Sequence, residues 1–354
     1  MYHSSTQRKF WTFANEEELQ SHRRTARRRF VQERLDRKDC SAVKSLASDT
    51  RPHTPDNPAV ASMFLSIEEE AELCRFYQTM LRDFCSKFKP ELPRSTIATG
   101  FALFQRSYVN ESVMRLHPKY MMITCMWIAV KADEYHITME QFVAHLRGDR
   151  QKAIDIILNN EPYVMKRLHY HLMVHLPYRA MEGFLIDIKT RFGEFFKKPD
   201  RMRPGADKFL EGSMFSDTLL LWSPSQIALA ALFHAAEELK EDLTDYVEKI
   251  LVQKPIGKPF AESGDSMDKA EEAKEQDDAA AGSQTSIHLL AVIDAIRHHV
   301  KESAKLVPNK DRIKKIEAKL EGCRDPAFNP ETEEYQKRIN AMMQLQLEAD
   351  TGFD

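Results

Sequence analysis

His117–Glu134 reads HPKYMMITCMWIAVKADE, and 106 residues further along Ser223–Lys240 reads SPSQIALAALFHAAEELK. Aligning Pro118 with Pro224 places Ile123 over Leu229, Cys125 over Ala231, Met126 over Leu232 and Ala129 over Ala235. Each segment opens with a proline in its first helical turn, where the missing N–H breaks no bond. Each then carries small residues at helical spacing on an otherwise apolar cylinder, so neighbouring helices can approach closely. That is the pattern of a helix enclosed by others. Its duplication predicts two similar helical domains in tandem.

Composition agrees. A chain of 354 residues suffices for two compact domains and tails. Apolar residues make up 42% and charged residues 30%, with a mean hydropathy of −0.50, as expected of a soluble protein with real cores. Eleven glycines are too few for glycine-rich nucleotide folds or many-turned β architectures, and a net charge of −3 gives no general pull toward nucleic acid or membrane. The five cysteines form no CxxC pair; Cys74, Cys85 and Cys125 sit in apolar helical patterns and are expected as buried, reduced thiols. The opening MYHSSTQRKFWTF has no signal-peptide core, and the apolar run Met121–Val130 is about half a membrane span.

Residues 1–65 form an extension, in which Asn15-Glu16-Glu17-Glu18 caps an exposed helix to about residue 30. Asp49–Pro58 reads as a linker. The first domain, 66–176, opens on a second capping box at Ser66–Glu69. Ile67, Ala71, Cys74, Tyr77, Leu81, Phe84 and Phe88 then form one stripe, ended by Pro90 and Pro93. A helix with Ile97, Phe101, Phe104 and Tyr108 follows, then the central helix, a short one after Thr138, and a fifth from Ile154 to Leu172. Pro162 should kink or restart that fifth helix. The second domain, 177–302, repeats the order with helices at Ala180–Phe192, Ala206–Leu221, Pro224–Leu239 and Leu243–Leu251, and a last one from about Ile287. Ala261–Ser286 carries eight acidic and two basic residues, a charge of −6 over 26 residues with little apolar content, and is expected as a disordered insertion. In the remaining segment, 303–354, Asn309–Cys323 is a further helix and the rest a loose tail.

Chemistry is almost absent. No phosphate-binding glycine loop, protein-kinase signature or nucleophile elbow occurs, and no Cys/His set has zinc spacing, so no catalytic residue, metal or cofactor is expected. His169, His171 and His175 read as surface or interface residues. The run Arg23–Arg29 is a solvated helix face, with phosphate contact or nuclear import as the sharper alternative. Ser4, Ser5 and Thr6 are hydroxyls open to phosphorylation. Lys131, closing an apolar helix ahead of Asp133 and Glu134, needs a carboxylate or a path to water.

The tandem five-helix repeat with WIAVKADE (Trp127–Glu134) resembles the cyclins. MYHSSTQRKFWTF (Met1–Phe13), FKPELPRS (Phe88–Ser95), PYRAMEGFLIDIKTRF (Pro177–Phe192) and SPSQIALAAL (Ser223–Leu232) are similar, within that group, to the cyclin H family. The likeness runs over about 1–255 and resumes at 287–323. It implies an all-α fold of two tandem five-helix cyclin folds with extra N- and C-terminal helices. It further implies a nuclear regulatory subunit that binds and activates cyclin-dependent kinase 7, with a RING-containing assembly subunit and the TFIIH core as further partners. The implied outputs are activation-loop phosphorylation of other cyclin-dependent kinases and, within TFIIH, phosphorylation of the RNA polymerase II C-terminal domain. Carried over residue by residue, the kinase-binding group is Lys131 paired with Glu161, with Asp133 and Glu134 beside them. The terminal helices should pack together against the body, anchored by Trp11, Phe13, Leu19, Ile316 and Leu320. Helix Glu68–Leu81 lacks the hydrophobic substrate-docking motif of cell-cycle cyclins. Two alternatives stay open: a cyclin of another transcriptional kinase, and a TFIIB-like double cyclin-fold DNA-binding factor. The latter would want a zinc ribbon and a basic surface, and this sequence has neither Cys₄ spacing nor net positive charge.

Overall fold

The computed structural model describes residues 2–37, 57–194, 196, 198–251 and 270–351, and among these every regular element is helical. The N-terminal part comprises α1 (Thr6–Phe10), α2 (Glu16–Arg37) and α3 (Pro58–Met63). The first five-helix set is α4 (Ile67–Cys85), α5 (Arg94–Ser107), α6 (Pro118–Ala132), α7 (Met139–Val143) and α8 (Arg150–Arg167). The second set begins with α9 (Tyr178–Arg191), α10 (Arg203–Ser213), α11 (Thr218–Leu221) and α12 (Pro224–Glu238). An α-turn at Thr244–Tyr246 then runs into a π-helical turn, Val247–Leu251, and α13 (Ala270–Lys305) completes the set. Two helices follow, α14 (Lys310–Cys323) and α15 (Glu333–Thr351). The chain divides into two compact units, Met1–His175 with Leu306–Asp354, and Leu176–Lys305.

In the first unit α6 packs against α5, α8 and α4; in the second, α12 packs against α10, α13 and α9. Cys125 and Ala129, and their counterparts Ala231 and Ala235, are fully buried. Close approach is built the same way twice. A Cβ on Gly100 of α5 would stand 3.7 Å from Ala129 Cβ and collide with Met126 Sδ; one on Gly205 of α10 would stand 3.0 Å from Ala235 Cβ. Both central helices also end alike. Tyr135 N–H donates to Val130 O (3.0 Å) across left-handed Glu134 (φ 56°), and Glu241 N–H donates to Ala236 O (2.9 Å) across left-handed Lys240 (φ 60°). This turn satisfies carbonyls the helix would otherwise leave open. At the other end His117 and Ser223 each accept a backbone N–H ahead of the first-turn proline.

Several sequence expectations need correction. The segment Ala261–Ser286 is not irregular throughout: from Ala270 it belongs to one helix of 36 residues, while 261–269 lie outside the described residues. Charge and low hydrophobicity argued for disorder, but Ala, Glu, Gln and Lys are also strong helix formers. The tail beyond Cys323 is a 19-residue helix, α15, with Tyr335 and Ile339 buried. Helix α8 runs through Pro162 without interruption. Pro162 and Leu158 both lie on its exposed side, so water can take the Leu158 carbonyl that proline leaves without its helical donor. The expected helix Ala206–Leu221 is two, because Ser213 and Ser216 turn their hydroxyls onto Leu210 O (2.7 Å) and Ser213 O (2.8 Å). The fifth helix ends at Arg167, and His169 and Tyr170 take left-handed conformations (φ 51° and 58°). Most of the expected linker Asp49–Pro58 lies outside the described residues, although Pro58 itself opens α3.

Candidate functional site

Lys131 sits in the last turn of α6, where a cation suits the helix C-terminus. Its ammonium is ion-paired with the Glu161 carboxylate of α8 and lies 5.8 Å from the centroid of the Trp127 ring, one turn back on the same helix. The pair is lopsided. The lysine side chain is 48% exposed and the glutamate side chain 8%. Asp133 caps α6 and accepts from Thr99 Oγ1 at 3.4 Å, while Glu134 forms the left-handed turn described above. Helical spacing places Ile154, Leu158 and Met165 on the same side of α8 as Glu161, and Leu158 is 49% exposed. An ion pair thus borders an apolar strip that the first unit leaves open. The structure brings Lys131 and Glu161 together and keeps Asp133 and Glu134 as cap and turn.

The terminal segments meet this unit from outside. Trp11, Phe13 and Leu19 are buried, as are Ile316 and Leu320. Both α2 and α14 pack on α4, and Arg37 just reaches Asp325 at 3.6 Å. Trp11 has a more specific seat than its apolarity suggested. Its Nε1 donates to His171 Nδ1 (3.1 Å), and the Arg106 guanidinium stands 5.5 Å from its ring centroid. Burial, helped by His169 and Arg106, holds the His171 pKa down and keeps that nitrogen free to accept. Gln7, nearly inaccessible, donates to His175 O (3.2 Å) and accepts from His175 N–H (2.6 Å). His171 and His175 therefore receive the N-terminal segment. Among the described residues no His, Cys, Asp or Glu group is arranged to hold a metal.

The basic run is partly used internally. Arg27 donates to Leu65 O (2.5 Å), and Arg29 pairs with Glu111 at 3.0 Å, so the solvated-face reading misses two of its residues. Of the three thiols expected to be buried, Cys85 and Cys125 are, and burial pushes each up to about 12, far from a reactive thiolate, whereas Cys74 is only half-buried. Among the described residues no helix is long and apolar enough to cross a membrane.

Two helical units with matching central helices, caps and neighbours define a double cyclin fold. Residues 57–173 match the cyclin N-terminal domain and residues 176–301 the cyclin C-terminal domain. The chain is 36% identical to cyclin-H of Xenopus laevis over 71% of its own length and 73% of that protein. It is 32% identical to cyclin-H1-1 of Arabidopsis thaliana over 71% and 76%. A structure of the CAK complex of Chaetomium thermophilum bound to ATP-γ-S contains a chain of similar fold, with a TM-score of 0.68, 22% identity, and 100% and 96% of the two chains covered. The chain belongs to the cyclin H family. It is a regulatory, non-catalytic kinase subunit.

Proposed function

We propose that this chain binds and activates cyclin-dependent kinase 7. The observation that carries the reading is the Lys131–Glu161 pair beside the open strip of Ile154, Leu158 and Met165. A partner helix laid there would bury the strip and meet a fixed charge pair at its edge. A kinase's mobile regulatory helix has inward and outward positions, and contact with this surface would favour the inward, catalytic one. Related complexes support the assignment. A structure of the yeast TFIIK (Kin28/Ccl1/Tfb3) complex contains a chain of similar fold at a TM-score of 0.56 and 21% identity, covering 84% of this chain and 100% of that one.

On this reading the chain acts in the nucleus with a RING-containing assembly subunit and the TFIIH core. Its outputs are activation-loop phosphorylation of other cyclin-dependent kinases and phosphorylation of the RNA polymerase II C-terminal domain. The test is co-purification of the full chain followed by mass spectrometry, with kinase assays on both substrates. The isolated chain should phosphorylate nothing and should raise its partner's activity by orders of magnitude. Recovery with a different kinase, or ATP turnover by the isolated chain, would overturn the assignment.

A further inference from the structure

We propose that Glu111 is a positioning residue through which the N-terminal helix α2 sets the rotation of α8, and with it the aim of Glu161. The proposal rests on the kinase-binding role given to Glu161 above. Glu111 lies between α5 and α6, and its side chain is 2% exposed. Three guanidinium groups converge on its carboxylate from three parts of the first unit. Arg29 of α2 reaches Oε1 at 3.0 Å, Arg167 of α8 reaches the same oxygen at 3.0 Å, and Arg115 of its own loop reaches Oε2 at 3.6 Å. Tyr163 of α8 donates its hydroxyl to Oε2 at 3.3 Å, and Arg167 Nε donates to that hydroxyl at 3.0 Å. Glu111 therefore grips α8 at two points one turn apart.

The grip falls where α8 is weakest. Pro162 lacks an N–H, so the turn from Leu158 to Pro162 is missing one internal hydrogen bond, and Glu161 sits in that turn. Tyr163 and Arg167 lie beyond the proline, on roughly the opposite side of the helix from Glu161. Holding that back side fixes rotation about the helix axis, which decides where the front side points. Arg29 is the member contributed by α2, and it also donates to Asn110 O at 2.5 Å, so it pins the loop that carries Glu111. Arg29 is itself 46% exposed, so replacing it leaves no hole in the core.

The experiment uses the full chain with its partner kinase. Calorimetry gives Kd for Arg29→Met, Glu161→Ala and the double variant, and hydrogen exchange follows the amides of Leu158–Arg167. Arg29→Met should raise Kd roughly fivefold, the loss expected of one half-exposed charged hydrogen bond. Exchange in that stretch should quicken, and Arg29→Lys should restore most of both. In the Glu161→Ala background Arg29→Met should add less than its full effect, because much of it acts through the pose of Glu161. Should Arg29→Met fail to fold, Arg29→Gln replaces it in the same cycle. If Glu161→Ala alone leaves Kd unchanged, the kinase-binding reading fails. If Glu161→Ala weakens binding while Arg29→Met does not, or adds its full effect on top, the positioning role alone is overturned.

Discussion

A carboxylate held at 8% exposure depends on the ammonium beside it far more than a lysine at 48% exposure depends on its carboxylate. Lys131→Ala and Glu161→Ala are therefore not equivalent. Lys131→Ala leaves a buried charge without its cation and should lower stability by about 1–3 kcal/mol. Glu161→Ala frees a lysine that can turn to water, and should change stability by less than about 1 kcal/mol. Both should weaken kinase binding, by about 2 kcal/mol or more, because the pair would be desolvated there. Thermal melts separate the two variants, and calorimetry tests the shared loss. Equal melts with unchanged Kd would return the pair to an ordinary surface ion pair.

His117 gives a second residue-scale prediction, in pH. It accepts Lys119 N–H at 3.1 Å as the cap of α6, and its ring meets those of Tyr77 and Tyr120. Burial, with Arg324 and Lys119 nearby, depresses it from 6.5 to about 3. The unfolded chain takes up a proton below about 6.5 and the folded chain does not until about 3. Stability from this group is therefore full above 6.5 and is lost as pH falls through that window. His117→Asn keeps an acceptor at the cap without the titration. Its melting temperature should fall less steeply than the parent's between pH 6.5 and 4; identical slopes would show that His117 does not set this limb.

At the scale of elements, what was legible was what is local. The capping box at Ser66 with Glu69, the first-turn prolines of α6 and α12 and the apolar surface of both central helices follow from short-range rules, and the structure places them as read. The stripe of α4 holds at Tyr77, Leu81 and Phe84, but Ala71 is exposed, Cys74 is half-buried, and the fully buried Leu73 lies outside the stripe as read. What escaped reading depends on contacts distant in sequence. Glu111 meets Arg29 and Arg167 across 82 and 56 positions, and no periodicity announces such a meeting. Helix α15 escaped because, among its described side chains, it buries Tyr335 and Ile339 amid many polar residues, too few to show a helical period. The turn before it sets Phe328 edge-on against Tyr163 (4.8 Å between centroids), and the Arg338 guanidinium of α15 stands 4.2 Å from the Phe328 ring centroid. α15 thus belongs to the first unit's packing and is not a free tail. Ile339→Ala should cost about 2–4 kcal/mol and a surface change such as Lys337→Ala almost nothing, both read from denaturant titrations. An Ile339→Ala chain as stable as its parent would show that α15 contributes no packing.

At the scale of the whole molecule the duplication goes further than the central helices. The offset that aligns Pro118 with Pro224 carries Lys131 onto Glu237, and Glu237 is ion-paired with Arg297 of α13, the fifth helix of the second unit. Each unit therefore ties the end of its third helix to its fifth by one charge pair, with the signs reversed. A pair that occurs twice is first a device of the fold, and the kinase contact proposed above would be a use added to one copy of it. The second pair is also more open, since the Glu237 side chain is 70% exposed against 8% for Glu161. If the added use belongs to the first copy, Arg297→Met should leave kinase affinity and activation unchanged, with a stability effect below about 1 kcal/mol. Lys131→Met should depress both affinity and activation. Calorimetry and the kinase assay on the two single variants decide the matter. Equal losses of activation from both would mean that the pairs act only by stiffening their units, and the first would have no separate claim to the kinase.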